Sequence, residues 1–292
     1  MGVGPGSSPV PGPSPSEYPG GVPQNYEEYA RRIRGYVDIA EVNEYARVLE
    51  GGVEYPLFRL TVPGERWLVI TSGFHGEEPA GPLTLCRYFA DIAAYARERQ
   101  VGLRVYPCIN PSGFEDGTRY NRSGEKPNND FMRYETAPGV WKGELNRGEP
   151  FLRWALYDGG PKETRAVRAD IVRHPAPVAA LDIHQDNYLP GAATYAYTFG
   201  DKNLYRPIMR AASEHAQVIR DEKVDEVNRT DADGLIEYND GSVTDYFLRS
   251  GVPYTATLET TTRTPLEACH AINLIWIRGF IDLAARGSGS TS

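Results

Sequence analysis

A mixed, mostly parallel α/β sheet with helices on both faces is the architecture this sequence predicts, and three observations predict it. Apolar strand-like runs alternate with helix-length amphipathic stretches, the pattern of crossover-connected parallel strands. One run, PVAALDIH (177–184), is apolar nearly throughout, as a central strand covered on both faces must be. Polar clusters follow apolar strands at three places: His75 with Glu78, His184, and Glu259. Sheets of this kind gather their chemistry at the carboxyl ends of strands.

The elements follow in order. NYEEYARRIRGYV (25–37) has the apolar spacing of an amphipathic helix. YPLFRLTV (55–62) and RWLVITSGF (66–74) read as strands joined by the turn PGE. PAGPLTLCRYFADIAAYARERQ (79–100) is a long helix with proline near its first turn, and GLRVYPCIN (102–110) is a strand. Residues 111–150 are rich in Gly, Asn, Asp, Arg and Pro and predict a long irregular segment, a length that usually carries function. The aromatic-bearing stretch 132–160 reads as an insertion packed on the core, with a wall of a substrate funnel as the other reading. KETRAVRADIVRH (162–174) is helical, ATYAYTFG (193–200) a strand and LYRPIMRAASEHAQVI (204–219) a helix. SVTDYFLRSG (242–251) is a short helix with a serine cap and a glycine stop. PYTATLET (253–260) is a strand, and PLEACHAINLIWIRGFIDLAARG (265–287) the closing helix.

The chain has 292 residues, enough for one large α/β domain or two small ones. We divide it into a Gly/Pro/Ser-rich arm (1–23), one catalytic domain (24–286) and a tail (287–292). The arm lacks the basic and apolar regions of a signal peptide, so a cytoplasmic location is expected, with a processed secreted form as the alternative. No uninterrupted apolar run approaches a membrane span, so no membrane partner is expected. A net charge of −8 with scattered arginines argues against nucleic acid. Cys86, Cys108 and Cys269 stand far apart in apolar segments and read as buried thiols, a single disulfide being the alternative. Their number and spacing exclude a cysteine-rich zinc site. The sequence does not set an oligomeric state.

The strand ends carry a specific chemistry. His75 and Glu78, three residues apart on a turn, can face one centre, and His184 ends a different strand. Two imidazoles and a carboxylate leave a tetrahedral position open, the composition of a catalytic zinc site rather than a structural one. An isolated HxxE is weak, and the second histidine at another strand end is what strengthens it. Glu259 closes YTATLE, where an unpaired carboxylate is expensive, and suits a general base. Its bland reading is a turn cap or a pair with Arg263. Arg119, in GFEDGTRYNRSG, suits polarisation of a carbonyl oxygen, against the bland reading of a solvated loop arginine.

SGFHGEE, INPSGFEDGTRYNRSGEKPNNDF, LDIHQD, DGSVTDYF and TATLET occur in the order found in zinc carboxypeptidases of the carboxypeptidase A-like (funnelin) type, and the ordered set covers about residues 65–285. This resemblance implies an eight-stranded mixed sheet between helices and one zinc per chain held by His75, Glu78 and His184. It further implies Glu259 as the base for a zinc-activated water, Arg119 as the oxyanion-stabilising arginine, and a peptide substrate. The chain departs from the family where D-x-N-R becomes KPNN (126–129). Asn128 matches the asparagine that contacts the substrate's terminal carboxylate. Asn129 replaces the arginine that clamps it, and Lys126 replaces the acid behind the first zinc histidine. An amide cannot supply the charge of an arginine–carboxylate fork. Lys126, Arg133 and Arg263 are the basic residues that could compensate, while Asp186, Glu115 and Asp116 favour a neutral or positive group instead. Tyr238, in IEYNDGS, stands near the family's mobile tyrosine but out of register. Two alternatives remain open: an N-acyl amino acid deacylase of the desuccinylase/aspartoacylase type, and a non-catalytic zinc-fold binding domain. Retention of all three ligands with Glu259 and Arg119 argues against the last.

Overall fold

The computed structural model describes residues 24–128 and 130–286; the arm, the tail and Asn129 lie outside the described residues. The chain enters through α1 (Tyr26–Arg34), where the Asn25 side chain accepts from the Glu28 amide and the last turn is basic, matching the helix dipole. A 3-10 turn (Gly35–Asp38) leads into β1 (Glu41–Glu50), β2 (Val53–Val62) and β3 (Arg66–Ser72). Then come α2 (Ala80–Glu98), β4 (Val101–Tyr106) and α3 (Pro111–Asp116). Three short strands follow, β5 (Met132–Ala137), β6 (Val140–Lys142) and β7 (Arg153–Leu156), and then α4 (Lys162–Ile171). The second half runs β8 (Ala179–Asp186), β9 (Ala193–Phe199), α5 (Arg206–Ala212), β10 (Gln217–Val218), β11 (Leu235–Ile236), α6 (Val243–Arg249), β12 (Tyr254–Thr261) and α7 (Leu266–Arg286).

The main sheet has the order β1-β2-β4-β3-β8-β12-β9-β10, with β11 pairing β9 as a ninth strand beyond the eight expected. Its centre, β4-β3-β8-β12, is parallel, and β9 runs antiparallel to β12. Period-2 alternation divides the core between the two faces. Leu68, Ile70, Leu181, Ile183, Ala256 and Leu258 pack with α2 and α7, while Val69 and Ala180 pack with residues of α4 and α6. Every residue of β8 is buried, Asp182, His184, Gln185 and Asp186 included. α6 keeps its expected cap, Ser242 Oγ accepting from the Asp245 amide, and Gly251 follows it with a φ of 82°.

Beyond the ninth strand, four further expectations change. β1 was not foreseen, because Glu41, Glu44 and Arg47 mask its period on an edge strand. Residues 111–150 are not wholly irregular: they hold α3 and part of the sheet β6-β5-β7. That sheet packs on the body through Met132, Tyr134 and Leu145, and the Tyr134 hydroxyl meets Asp245 at 2.5 Å. The helix expected over 204–219 ends at Ala212, and the chain returns to the sheet at β10. Finally, α7 is long and apolar enough for a membrane span by length and composition. Here it is a core helix, with Cys269, Ile272, Trp276, Ile277 and Phe280 buried. The three cysteines are buried free thiols.

Candidate active site

Local geometry places the first two polar residues. β3 ends at Ser72, and Gly73 turns the chain at a φ of +70°, a conformation that L side chains rarely adopt. Gly76 then lies against α3: a Cβ there would sit 1.8 Å from the Gly113 carbonyl carbon. The segment carrying His75 and Glu78 is thus pressed backbone to backbone on α3. The other two residues come from strand alternation. Asp182 and His184 share the α6-side face of β8, and Glu259 of β12 is the register partner of His184.

His75, Glu78 and His184 converge. One donor atom from each lies within 4.8 Å of the others, and all three side chains are buried. Glu78 Oε1 is 2.7 Å from His75 Nδ1, and Oε2 is 2.8 Å from His184 Nδ1. The Gln185 amide donates to Oε2 at 3.1 Å and fixes the carboxylate. His184 Nε2 is 2.9 Å from Asp182, whose other oxygen accepts from Thr71 at 2.7 Å. Burial opposes charge on His184, but Asp182 and Glu78 hold its pKa well above the ordinary value. Burial likewise opposes ionisation of Glu78, yet His75 and His184 hold its carboxyl well below the usual range. His75 is pushed down to about 3 by burial, against the pull of Glu78. Its Nε2 is buried without a partner. The donor set fits a zinc ion: two imidazole nitrogens and a carboxylate around one point, with an outer carboxylate orienting one ring.

Glu259 and Arg119 flank this centre. Burial, together with Glu78 and Asp186, raises the Glu259 carboxyl well above its ordinary range, with His184 opposing. Glu259 Oε2 is buried without a hydrogen bond, and Arg263 is exposed. Arg119 Nη1 donates to Glu78 at 3.0 Å and to Glu77 at 3.1 Å, and Asn187 also donates to Glu77 at 2.8 Å. Both line a cavity of roughly 210 Å³ that the two histidines, Glu78, Asn128 and Tyr238 also line. Asn128 Oδ1 is buried without a partner. Tyr238 reaches the cavity wall, with its hydroxyl bonded to Glu144 at 2.9 Å.

The basic candidates do not form this wall. Arg133 stacks on Tyr157 at 3.8 Å, and Lys126 and Arg263 are exposed. Asp186 does line the cavity, bonded to the Tyr195 hydroxyl at 2.7 Å and to two backbone amides. Sequence reasoning missed several residues. Asp182 had a signal, the D-x-H spacing that puts both side chains on one strand face. Glu77, beside Glu78, had none of its own. Asp225 and Asp240, also on the wall, come from irregular segments without periodicity. A second carboxylate group, Glu50, Glu125 and Glu163, lies elsewhere, and Lys162 pairs with its Glu50 at 2.6 Å.

The zinc carboxypeptidase family model matches residues 39–276. A Shewanella amazonensis structure assigned as a metallopeptidase superposes with a TM-score of 0.69 at 21% identity, covering 89% of this chain and 94% of that one. A Burkholderia cenocepacia metallo-carboxypeptidase gives 0.61 at 17% identity, over 88% of this chain and 68% of that one. Thrombin activatable fibrinolysis inhibitor gives 0.61 at 17%, over 94% and 77%. At these identities the structural likeness speaks for the fold. No curated protein sequence matches significantly.

Proposed function

The chain belongs to the zinc carboxypeptidase family, and from that premise we propose that it hydrolyses an amide bond of a peptide at the centre formed by His75, Glu78 and His184. The observation that carries the reading is the convergence of these three donors beside a buried, unbonded carboxylate oxygen of Glu259. Zinc held by the three residues would lower the pKa of a water and polarise the scissile carbonyl. Glu259 accepts the proton of the attacking water and delivers it to the leaving nitrogen, a role its raised proton affinity suits. Arg119, held by Glu77 and Glu78, offers its guanidinium to the oxyanion. Asp182 holds the His184 ring in place.

The substrate's end is treated differently from the family norm. Asn129 brings a dipole where an arginine would bring charge, so residue 129 does not clamp a terminal carboxylate. Asn128 remains as a neutral contact. The test is a screen of the zinc-loaded protein against peptides, peptide amides and N-acyl amino acids, read by mass spectrometry. We expect turnover of peptides or their amides, falling about 10²–10⁴-fold in Glu259→Gln with zinc content unchanged. Turnover confined to N-acyl amino acids would make the protein a deacylase. A Gln variant as fast as the parent would remove Glu259 from the base role.

A further inference from the structure

A second cavity, sharing no lining residue with the candidate active site, borders a buried charge that no ion pair answers. We propose that Arg104, with His174 and Ser250, forms a binding site there for a small inorganic monoanion of chloride size.

Strand alternation puts the charge in place. On β4, Leu103 and Val105 pack with α2 and α7, so Arg104 and Tyr106 take the opposite face, the one that α4 and α6 cover. Arg104 is only 5% exposed. Its Nη1 donates to the Pro175 carbonyl at 2.8 Å, and its guanidinium lies over the Trp67 ring at 4.2 Å. Among the described residues it has no other hydrogen bond and no ion pair, so most of its five N–H donors stay unused. A buried guanidinium without a counter-ion is costly. The cavity beside it measures roughly 50 Å³, and a water takes about 30 Å³. That is room for a halide and too little for an amino acid.

The neighbours set the sign. No carboxylate lines this cavity. Asp170, the nearby acid, is already taken, its Oδ2 accepting from Arg59 at 2.5 Å and from the Tyr106 hydroxyl at 2.8 Å. Arg59, Arg104 and Asp170 together thus leave one net positive charge. Burial works against the charge on Arg104 and lowers its pKa, with Arg59 adding to the effect. The carbonyls that end α4 and α6 accept from backbone amides and do not occupy the guanidinium. His174 and Ser250 line the same cavity. Arg59 Nη1 lies 2.7 Å from His174 Nε2, and an arginine only donates, so Nε2 accepts and the ring proton sits on Nδ1. Burial first, then Arg59 and Arg104, lower the pKa of this ring and keep it neutral. The cavity wall therefore offers a guanidinium, an imidazole N–H and a hydroxyl, all able to donate, which is the complement of an anion.

The test is the melting temperature of the zinc-loaded full chain in sodium chloride against sodium gluconate at one ionic strength, gluconate being too large for the cavity. We expect chloride to raise the melting temperature by a few degrees along a curve that saturates in the millimolar range, as mass action on the folded state requires. The gain should vanish in Arg104→Met, which keeps an apolar stem on Trp67 but removes the charge. Chloride bound at the zinc or at Arg119 adds the same increment to parent and variant, so the difference between them is the readout. Ser250→Leu, which fills the cavity from the half-buried end of α6 and leaves Arg104 in place, should lose the gain as well, and it decides the matter if Arg104→Met does not fold. A parent whose melting temperature does not respond to chloride, or a gain that survives either substitution, overturns the site. No substrate enters the measurement, so failure of the peptide screen leaves its result legible.

Discussion

Asp182 is not among the proposed metal ligands, yet its carboxylate faces the His184 ring. It accepts from Thr71 and from the Ile183 amide through one oxygen and faces His184 Nε2 with the other. Outer carboxylates of this kind fix ring orientation and raise ligand basicity. Asp182→Asn should therefore weaken zinc binding about 10–100-fold while leaving the fold intact. Competition against a chromophoric chelator measures it, and an unchanged zinc affinity would show that the strand alone orients the ring. At this scale the sequence told much: His75, Glu78, His184, Glu259 and Arg119 all reach one cavity. His75, Glu78, His184 and Glu259 were legible because each sits at or near the end of an element whose period is plain, whereas Arg119, in a segment read as irregular, was legible from its motif alone. Asp225 and Asp240 were not, since the segment between β10 and α6 holds only the two-residue β11 and no pattern fixes which way its acids point.

Between elements, the His75–Glu78 segment is pressed tightly on α3 at Gly76. The Gly76 position has no room for a methyl group, because what it would strike is the Gly113 backbone rather than a movable side chain. Gly76→Ala should lower zinc affinity at least tenfold by displacing two ligands together, and it should also lower the melting temperature. Retained affinity would mean the segment adapts without moving His75 and Glu78. The junction of β1, the 121–125 loop and α4 offers a separate test. Glu163 is wholly buried, with one oxygen bonded to Asn121 and the other unpartnered. Burial raises its pKa from 4.5 to about 7, with Glu50 adding to the shift. The folded state thus holds this proton more tightly than the unfolded chain, so the stabilisation is complete below about pH 4.5 and is lost as pH rises through 7. Glu163→Gln should remove that loss, gaining on the order of 3 kcal/mol at most above pH 7. Urea denaturation of both proteins from pH 4 to 8 gives the difference curve, and a flat one refutes the shift. Neither β1 nor this junction was visible in the sequence. An edge strand half exposed and heavily charged has no clean alternation to read.

For the molecule as a whole, the proposed metal site would link ion binding to folding. The three proposed ligands come from the turn between β3 and α2 and from β8, so an ion that binds only the folded chain would stabilise all of it. At free zinc a thousandfold above Kd the gain is about 4.1 kcal/mol. Stripping the ion with a chelator should lower the melting temperature by on the order of 10 °C, and adding zinc back should restore it. A melting point indifferent to zinc would sever that linkage. The alternating strands and helices were readable across the chain because burial on two faces leaves long apolar runs.

The pairing of Glu259 with His184 across β8 and β12 has a further consequence. Side chains alternate strictly along a strand, so a slip of one residue would send Glu259 to the α7 side and bring Leu258 or Thr260 toward the metal. No intermediate register keeps Glu259, the proposed base, at partial strength. A population containing misassembled sheets would therefore be a mixture of fully active and fully silent molecules, with no molecules of intermediate rate. Titration of active centres against total protein would then count correctly assembled sheets, one molecule at a time.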